Sequence, residues 1–241
     1  MTEEPYRWLE AIGNRREYIR DQLKGGTPVF AFSRPEGILL LGIGHGSSKV
    51  FEIYDRHGLA ALGHPVDIEK VRQAAIEAAH LEGFNRSSQD VTLRRLISFA
   101  LSATLKNSFE QIFSPPLMVE AIFAELGATP AEDVLVRVHY DGNHHYETSG
   151  VLLAHSDPKR EAEAVTWLKQ NLKPDDSLAR VASASLTAWQ ALMDDKTFAD
   201  LNVPKEPLLQ VNGKTVEAAL LERKLPGPVH YRTLRLDQLK S

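Results

Sequence analysis

The sequence predicts an α+β fold in which two antiparallel β-sheets pack face to face and pairs of helices cover their outer sides. The segments follow the order helix, strands, two helices, strands, two helices, strands, and this alternation indicates a layered sandwich. The strand groups are short apolar runs joined by glycine, proline and aspartate turns, which is typical of antiparallel pairing. With 241 residues the chain is long enough for one layered domain, and we expect a single domain over residues 1–241.

A helix is predicted near the start of the chain, from Pro5 to Leu23, and Gly25-Gly26 ends it, so residues 5–25 are assigned to this segment. Gly13-Asn14 weakens its middle, so the helix could consist of two pieces. The apolar residues that recur at helical spacing predict its buried face: Trp8, Leu9, Ile12, Ile19 and Leu23.

The stretch from Gly37 to His64 is the part around which the other segments are expected to pack. It contains three predicted strands, Ile38 to Gly42, residues 49–56, and Gly58 to Gly63, separated by short connections. Three neighbouring strands of this kind predict an antiparallel meander. The first of them is also predicted to pair with Val29 to Ser33 through a proline and glycine turn.

Two helices, Asp67 to Gly83 and Asp90 to Phe113, are predicted to cover this meander, each with an aspartate as its N-cap. The second has little polar surface and is expected to be buried between other elements. A polar, proline-containing segment over 194–212 is predicted to be a looped insertion. The remaining predicted elements are strands Leu117 to Leu126, Val134 to Tyr140, His144 to Thr148, Gly150 to Ala154, Val216 to Glu222 and Val229 to Leu236, and helices Asp157 to Leu172 and Ser177 to Met193.

The composition excludes several classes of protein. A formal net charge of -4 and a pI near 6.1 provide no basic excess for binding a phosphate backbone, so no nucleic-acid partner is expected. The absence of cysteine excludes disulfides and thiolate metal sites. The first residues lack the order of a secretory signal, and no apolar run is long enough to cross a bilayer, so we expect a soluble cytoplasmic protein.

The segment Gly42 to Lys49 is rich in glycine and resembles a phosphate-binding loop in composition. Such loops present their amides at the start of a helix, whereas here the next predicted element is a strand. The glycine spacing also fits neither of the common phosphate-binding patterns. We therefore interpret the segment as a connection between two strands, and no cofactor is expected.

His139, His144 and His145 are candidate metal ligands on a predicted hairpin. Adjacent residues of a strand point to opposite faces, so His144 and His145 cannot bind one metal together. An exposed hairpin without a metal is the favoured interpretation.

Thr2 is a candidate nucleophile, because removal of Met1 would expose an N-terminal threonine whose own amine can act as a base. That chemistry requires a threonine held in a cleft. Here Glu3-Glu4-Pro5 and a helix follow, which predicts a mobile tail and no catalytic residue.

Four segments together resemble the proteasome α-type subunits, especially those of actinobacteria. They are KVFEIYDRHGLAALG at 49–63, DIEKVRQAAIEAAHLEGF at 67–84, QDVTLRRLISFALSATLKNSFEQIF at 89–113 and TVEAALLERKLPGPVHYRTLRLDQLKS at 215–241. The resemblance implies the four-layer αββα sandwich of the N-terminal-nucleophile hydrolases, with an extra N-terminal helix across it. It also implies a seven-fold ring of identical subunits stacked on a proteolytic ring of β-type subunits.

The resemblance also assigns roles to particular residues. Lys49 matches a lysine that lies in a pocket between neighbouring subunits and pairs with the terminal carboxylate of an activator, such as an AAA+ ATPase. Gly63 matches a glycine whose backbone lines that pocket, and Gly25 stands where many members carry an arginine near it. Without the resemblance, Lys49 reads equally well as a solvated lysine at the start of a strand.

The gate over the entry pore is expected in the first four residues, Met1, Thr2, Glu3 and Glu4, a short segment for that role. A β-type subunit begins its first strand with a threonine, whereas this chain begins with a helix, so the resemblance implies a non-catalytic subunit. Two alternatives stay open: a self-sufficient threonine hydrolase of the same fold, and a scaffold homologue without proteasome partners.

Overall fold

A computed structural model describes residues 4–44, 46–148, 150–204, 210–211 and 213–239. The helices are α1 (Glu4–Leu23), α2 (Pro65–Asn85), α3 (Leu93–Leu96), α4 (Ser102–Glu110), α5 (Pro158–Asn171) and α6 (Leu178–Met193). The strands are β1 (Val29–Arg34), β2 (Gly37–Gly44), β3 (Val50–Tyr54), β4 (His57–Gly63), β5 (Val119–Glu125), β6 (Val134–Val138), β7 (His144–Glu147), β8 (Val151–Ala154), β9 (Gln210–Val211), β10 (Lys214–Glu222) and β11 (Tyr231–Leu234). None of the helices in these ranges is long and apolar enough to cross a membrane.

Within the described residues the strands form two antiparallel sheets. The first sheet has the order β11-β10-β2-β1-β8, with β9 paired to β10, and the second has the order β3-β4-β5-β6-β7. The predicted hairpins are confirmed, because Val29 lies opposite Gly42 in the first sheet and Val138 opposite His144 in the second. The predicted α+β class with two antiparallel sheets is therefore confirmed.

Three apolar clusters separate the layers, and neighbouring residues of single strands show how. On β2, Leu39 belongs to a cluster with α5 and α6, whereas Leu40 belongs to a cluster between the two sheets. On β4, Ala60 belongs to that same inter-sheet cluster, whereas Leu59 packs with α2, α3 and α4. Side chains alternate across a strand, so both strands are buried on both faces. The layers are helices, sheet, sheet and helices, as predicted.

The predicted three-stranded meander is wrong. β2 pairs with β1 and β10 in the first sheet, whereas β3 and β4 belong to the second sheet. Leu41 lies opposite Ala218, a residue far away in the sequence. The alternation of apolar residues indicates which strands are buried but does not identify the partner of each strand. The chain therefore crosses from one sheet to the other between Gly44 and Val50.

The boundaries predicted for α2 are also wrong. The helix begins after His64, whose Nδ1 accepts a hydrogen bond from the backbone N–H of Val66 at 3.3 Å. Asp67 lies inside the first turn, where its buried carboxylate accepts a hydrogen bond from the backbone of Met118 at 3.1 Å. Gly83 does not end the helix, which continues to Asn85. The glycine instead allows close contact with Tyr54, whose Oη lies 2.5 Å from the position of an added Cβ.

The long helix predicted over 90–113 is present but shorter, because the chain is helical without a break from Leu93 to Glu110, with a π-helical turn at Ile97–Leu101 between α3 and α4. Asp90 is not its N-cap, since it lies in a separate 3₁₀ turn at Ser88–Asp90. The segment is also less buried than predicted, because Phe99 and Phe113 are 78% and 103% exposed. A π turn shifts the face that a helix presents, so the apolar residues of this segment do not all face the core.

The first helix is continuous through Gly13, so the division into two pieces is wrong. Its second half is buried as predicted, through Ile19 and Leu23, but Trp8 and Leu9 are 48% and 67% exposed. The guanidinium of Arg15 donates hydrogen bonds to the carbonyls of Ser108 and Ser114, at 2.9 and 2.7 Å. These bonds fix α1 against the end of α4.

The predicted insertion lies partly outside the described residues. Between 194 and 204 the chain has neither helix nor strand, β9 occupies 210–211, and residues 205–209 and 212 are not among those described. Its exact limits stay a prediction.

Gly142, in the turn between β6 and β7, is expected to be intolerant of a side chain. Its φ is +81°, and an added Cβ would lie 2.4 Å from the carbonyl oxygen of Ser102 in α4. Gly227 provides a matched control, because its φ is +98° and nothing lies within 4 Å of an added Cβ. We expect Gly227→Ala to lower the free energy of unfolding by about 1 kcal/mol. Gly142→Ala should lower it by at least about 1 kcal/mol more, because α4 must also shift.

Urea denaturation measures both values, provided that the slope of the transition is unchanged. Equal losses for the two variants would show that the turn does not press against α4.

Candidate functional site

The crossing between the two sheets brings together the start of β1, the end of β2 and the start of β3. Lys49 lies at this point, and its Nζ donates hydrogen bonds to the hydroxyl of Thr27 at 2.5 Å and to the carbonyl of Thr27 at 3.0 Å. The Thr27 hydroxyl in turn donates to the carbonyl oxygen of Ile43 on β2. Thr27 is only 4% exposed, so the pair is largely shielded from water.

The backbone of Lys49 is fixed by both sheets. Its N–H donates to a carboxylate oxygen of Glu217 on β10 at 2.7 Å, and its carbonyl accepts from the N–H of Ala61 on β4 at 2.9 Å. The side-chain stem lies against Gly42, where an added Cβ would be 2.9 Å from the Cβ of Lys49. Glycine in this segment therefore makes space for the lysine stem, and the segment joins two strands, as predicted.

The surroundings of Lys49 destabilise the charged form of its side chain. Burial is the main cause that lowers the pKa of Lys49 to about 8, and the nearby cation of Lys214 adds to it. Glu217 acts in the opposite direction. An ammonium with this pKa loses its proton just above neutral pH, whereas a solvated lysine stays charged there.

Gly63 is the last residue of β4, two residues beyond Ala61, which bonds to Lys49. Its φ is +138°, and an added Cβ would lie 2.0 Å from the carbonyl oxygen of Met118. Gly25 is exposed in the connection between α1 and β1, with open space around it. The neighbouring Gly26 packs near Leu62 of β4, and a Cβ added to Gly26 would lie 3.2 Å from the Leu62 side chain. The three predicted residues therefore lie around one end of the two sheets.

The predicted gate lies almost entirely outside the described residues. Met1, Thr2 and Glu3 are not described, and Glu4 is the first residue of α1. Glu4 is therefore helical, whereas the helix was predicted to begin at Pro5.

Thr27, two residues before β1, is a residue of this candidate site that the sequence analysis does not predict. A β-type subunit begins its first strand with a threonine, and Thr27 stands just before the first strand here, which is the signal that could have identified it. The contact with Lys49 joins residues 22 positions apart, which spacing alone does not predict.

The histidines of the β6–β7 hairpin have other partners. His139 Nδ1 lies 2.9 Å from a carboxylate oxygen of Glu120, and His144 Nδ1 lies 2.9 Å from the hydroxyl of Ser102. In the part of the chain that the structure describes, no group of three or more histidine, aspartate or glutamate side chains could hold a metal ion.

A second polar cluster lies under α1, around the buried guanidinium of Arg137. Arg137 contacts the carboxylates of Glu120 and Glu161 and donates to the carbonyl of His155 at 2.9 Å. Burial raises the pKa of Glu161 to about 7, although Arg137 opposes the rise. One guanidinium serves two carboxylates, and the cluster joins β5, β6, the residue after β8 and α5, so it is a structural feature of the sandwich.

No protein-family model matches the chain. Among curated proteins, a proteasome subunit alpha from Actinosynnema mirum is 35% identical over 224 residues, which cover 90% of this chain and 78% of that protein. The proteasome subunit alpha of Jonesia denitrificans is 31% identical, covering 96% of this chain and 93% of its own, and that of Streptomyces scabiei is 30% identical, covering 95% and 88%. With this identity over almost the whole length, and with two stacked sheets between helical layers, the chain belongs to the proteasome α subunits.

Proposed function

We propose that this chain is a non-catalytic ring subunit that controls entry to a proteasome and receives activators at Lys49. The observation that carries the proposal is the ammonium of Lys49, which lies partly buried at the end of the sheets. It donates two hydrogen bonds to Thr27. An ammonium has three donors. Among the described residues no acceptor for the third is found, and this donor is the one that we propose meets the incoming carboxylate.

The terminal carboxylate of an activator tail suits this site. Charge-assisted hydrogen bonds to a carboxylate are shorter and stronger than neutral ones, and partial exclusion of water strengthens them further. Gly25 leaves room at the same end of the sheets, because nothing lies within 4 Å of an added Cβ there, whereas Gly63 contributes its backbone, packed against that of Met118. In a ring, a neighbouring subunit would complete the pocket. The partner is then an AAA+ ATPase or another activator with a free C-terminus.

The absence of catalysis is supported by the environment of Thr27. Its nitrogen forms a peptide bond with Gly26, and an amide nitrogen is no base, unlike the free amine of an N-terminal threonine. Its hydroxyl already donates to Ile43, and the residue is 4% exposed. Hydrolysis would therefore belong to the β-type subunit of the complex.

Ring contacts are proposed for α2 and for the segment from α3 to α4. Three large apolar side chains on these helices are exposed to water: Leu81 by 64%, Phe84 by 89% and Phe99 by 78%. Leu81 and Phe99 line one groove between the two helices. A patch of this kind on a soluble protein marks a contact surface. The partners would be other subunits of the two rings, and Met1 to Glu4 would form the gate, in a cytoplasmic complex.

Lys49→Ala is expected to weaken the binding of a tail peptide that ends in a hydrophobic residue, tyrosine and one more residue. The affinity should fall about 10-fold or more, because a hydrogen bond to a charged group is lost. Fluorescence anisotropy with a labelled peptide measures this, and an amidated peptide should bind the native subunit as weakly. Lys196→Ala serves as the control, because that side chain is 61% exposed.

The pH dependence has a definite sign. Because the ammonium donates to the carboxylate, affinity should fall as the pH rises through the Lys49 pKa of about 8. The bound carboxylate favours the charged form, so the midpoint lies at or above that value. Lys49→Arg should show no such fall up to about pH 10, because arginine stays charged. An unchanged affinity in Lys49→Ala would remove Lys49 from the docking site.

Phe99→Asp is expected to reduce ring formation or assembly with a β-type subunit, because it places a charge in an apolar contact. Native mass spectrometry of the mixed subunits measures the assembled fraction. Met193→Asp is the matched control, since Met193 is 42% exposed on the opposite helical layer. Equal assembly of both variants would contradict a ring contact at Phe99.

The contact between Thr27 and Lys49 also favours one alternative, a threonine hydrolase that becomes active after residues 1–26 are removed. A hydroxyl beside a lysine of lowered pKa is a known arrangement of nucleophile and base. We expect the purified chain to keep its intact mass and to cleave no peptide. A mass loss corresponding to residues 1–26, together with peptide cleavage that Thr27→Ala abolishes, would establish the alternative.

A further inference from the structure

We infer that Thr27 is a positioning residue for activator docking: it holds the Lys49 ammonium by two acceptors, so that one donor is presented to the incoming carboxylate. The inference rests on the proposed docking role of Lys49. Thr27 makes three contacts for this purpose. Its hydroxyl and its carbonyl both accept from Lys49 Nζ, at 2.5 and 3.0 Å, and its hydroxyl donates to Ile43.

The third contact defines the orientation of the hydroxyl. A threonine hydroxyl can donate one hydrogen bond and accept two. Because its proton is directed to the carbonyl of Ile43, the hydroxyl presents only lone pairs to Lys49. The bond to β2 thereby fixes the Thr27 hydroxyl as an acceptor toward Lys49. An acceptor at this position favours the charged form of the lysine.

The path of the lysine stem is constrained as well. Gly44 lies beside it, and an added Cβ there would be 3.6 Å from Cε of Lys49. Gly42 lies against the first carbon of the same side chain. A free lysine would lose rotamer freedom when it binds a tail, whereas a lysine already held at both ends loses little. By holding the Lys49 side chain in place before the activator binds, Thr27 therefore lowers the entropy cost of binding.

The charged groups around Lys49 come from β10. Lys214 disfavours the ammonium, and Glu217, which binds the backbone of Lys49, favours it. Neither side chain donates to or accepts from Nζ among the described residues. In the described ranges Thr27 is thus the residue that bonds directly to the Lys49 ammonium, and its removal should make that proton easier to lose.

The test compares Thr27→Val, which keeps the shape and removes the oxygen, with Thr27→Ser, which keeps the hydroxyl. Thr27→Val should bind the tail peptide about 10-fold more weakly. Thr27→Ser should stay within about 3-fold of the native subunit. Competitive acylation followed by peptide mass spectrometry gives the reactivity of Lys49 against pH. Its midpoint should move to lower pH in Thr27→Val and return in Thr27→Ser.

A purely structural threonine would leave that midpoint unchanged, so an unchanged midpoint or an unchanged affinity in Thr27→Val overturns the inference. If Thr27→Val does not assemble into rings, Thr27→Ala replaces it, because it removes the same oxygen without adding a methyl group against Ile43. The two proposals fail differently. If the native subunit binds no tail, docking fails, whereas binding that requires Lys49 but not Thr27 refutes only the positioning role.

Discussion

The apolar layer between the two sheets is the constraint on which the rest of the structure depends. Ala31 and Leu40 from the first sheet meet Ala60 and Ile122 from the second, and none of them is exposed. Since each sheet also buries its outer face under helices, the central strands must be apolar on both sides. A chain that builds both sheets has to pass around the edge of this layer. It does so between β2 and β3, and that passage carries Lys49.

The passage brings one group of polar residues to the edge of this apolar layer. An ammonium that loses part of its hydration needs acceptors in fixed positions, and the backbone and hydroxyl of Thr27 provide them. The fold thus holds a partly dehydrated cation at the rim of an apolar core. A general base would also suit this arrangement, but the peptide bond before Thr27 removes the free amine that an N-terminal threonine uses.

Local patterns predicted most elements and both long hairpins, because the spacing of apolar residues and the turn residues around Pro35 and Gly142 act over a few positions. Contacts between distant segments could not be read in this way. The pairing of β2 with β10 and the bond from Lys49 to Thr27 depend on the order of strands, which periodicity does not encode. The start of α2 was missed because a histidine at position 64 fills the role of the expected aspartate.

The three tryptophans of the chain are unevenly distributed over these layers. Trp167 and Trp189 are 5% and 3% exposed on α5 and α6, against the first sheet, while the helices over the second sheet contain none. Intrinsic fluorescence during unfolding will therefore follow one side of the sandwich, and far-ultraviolet circular dichroism is needed to follow the other. Coincidence of the two signals becomes a direct measure of whether both halves melt together. Trp8, near the outer end of α1, is partly exposed to solvent, so its emission reports on neither core.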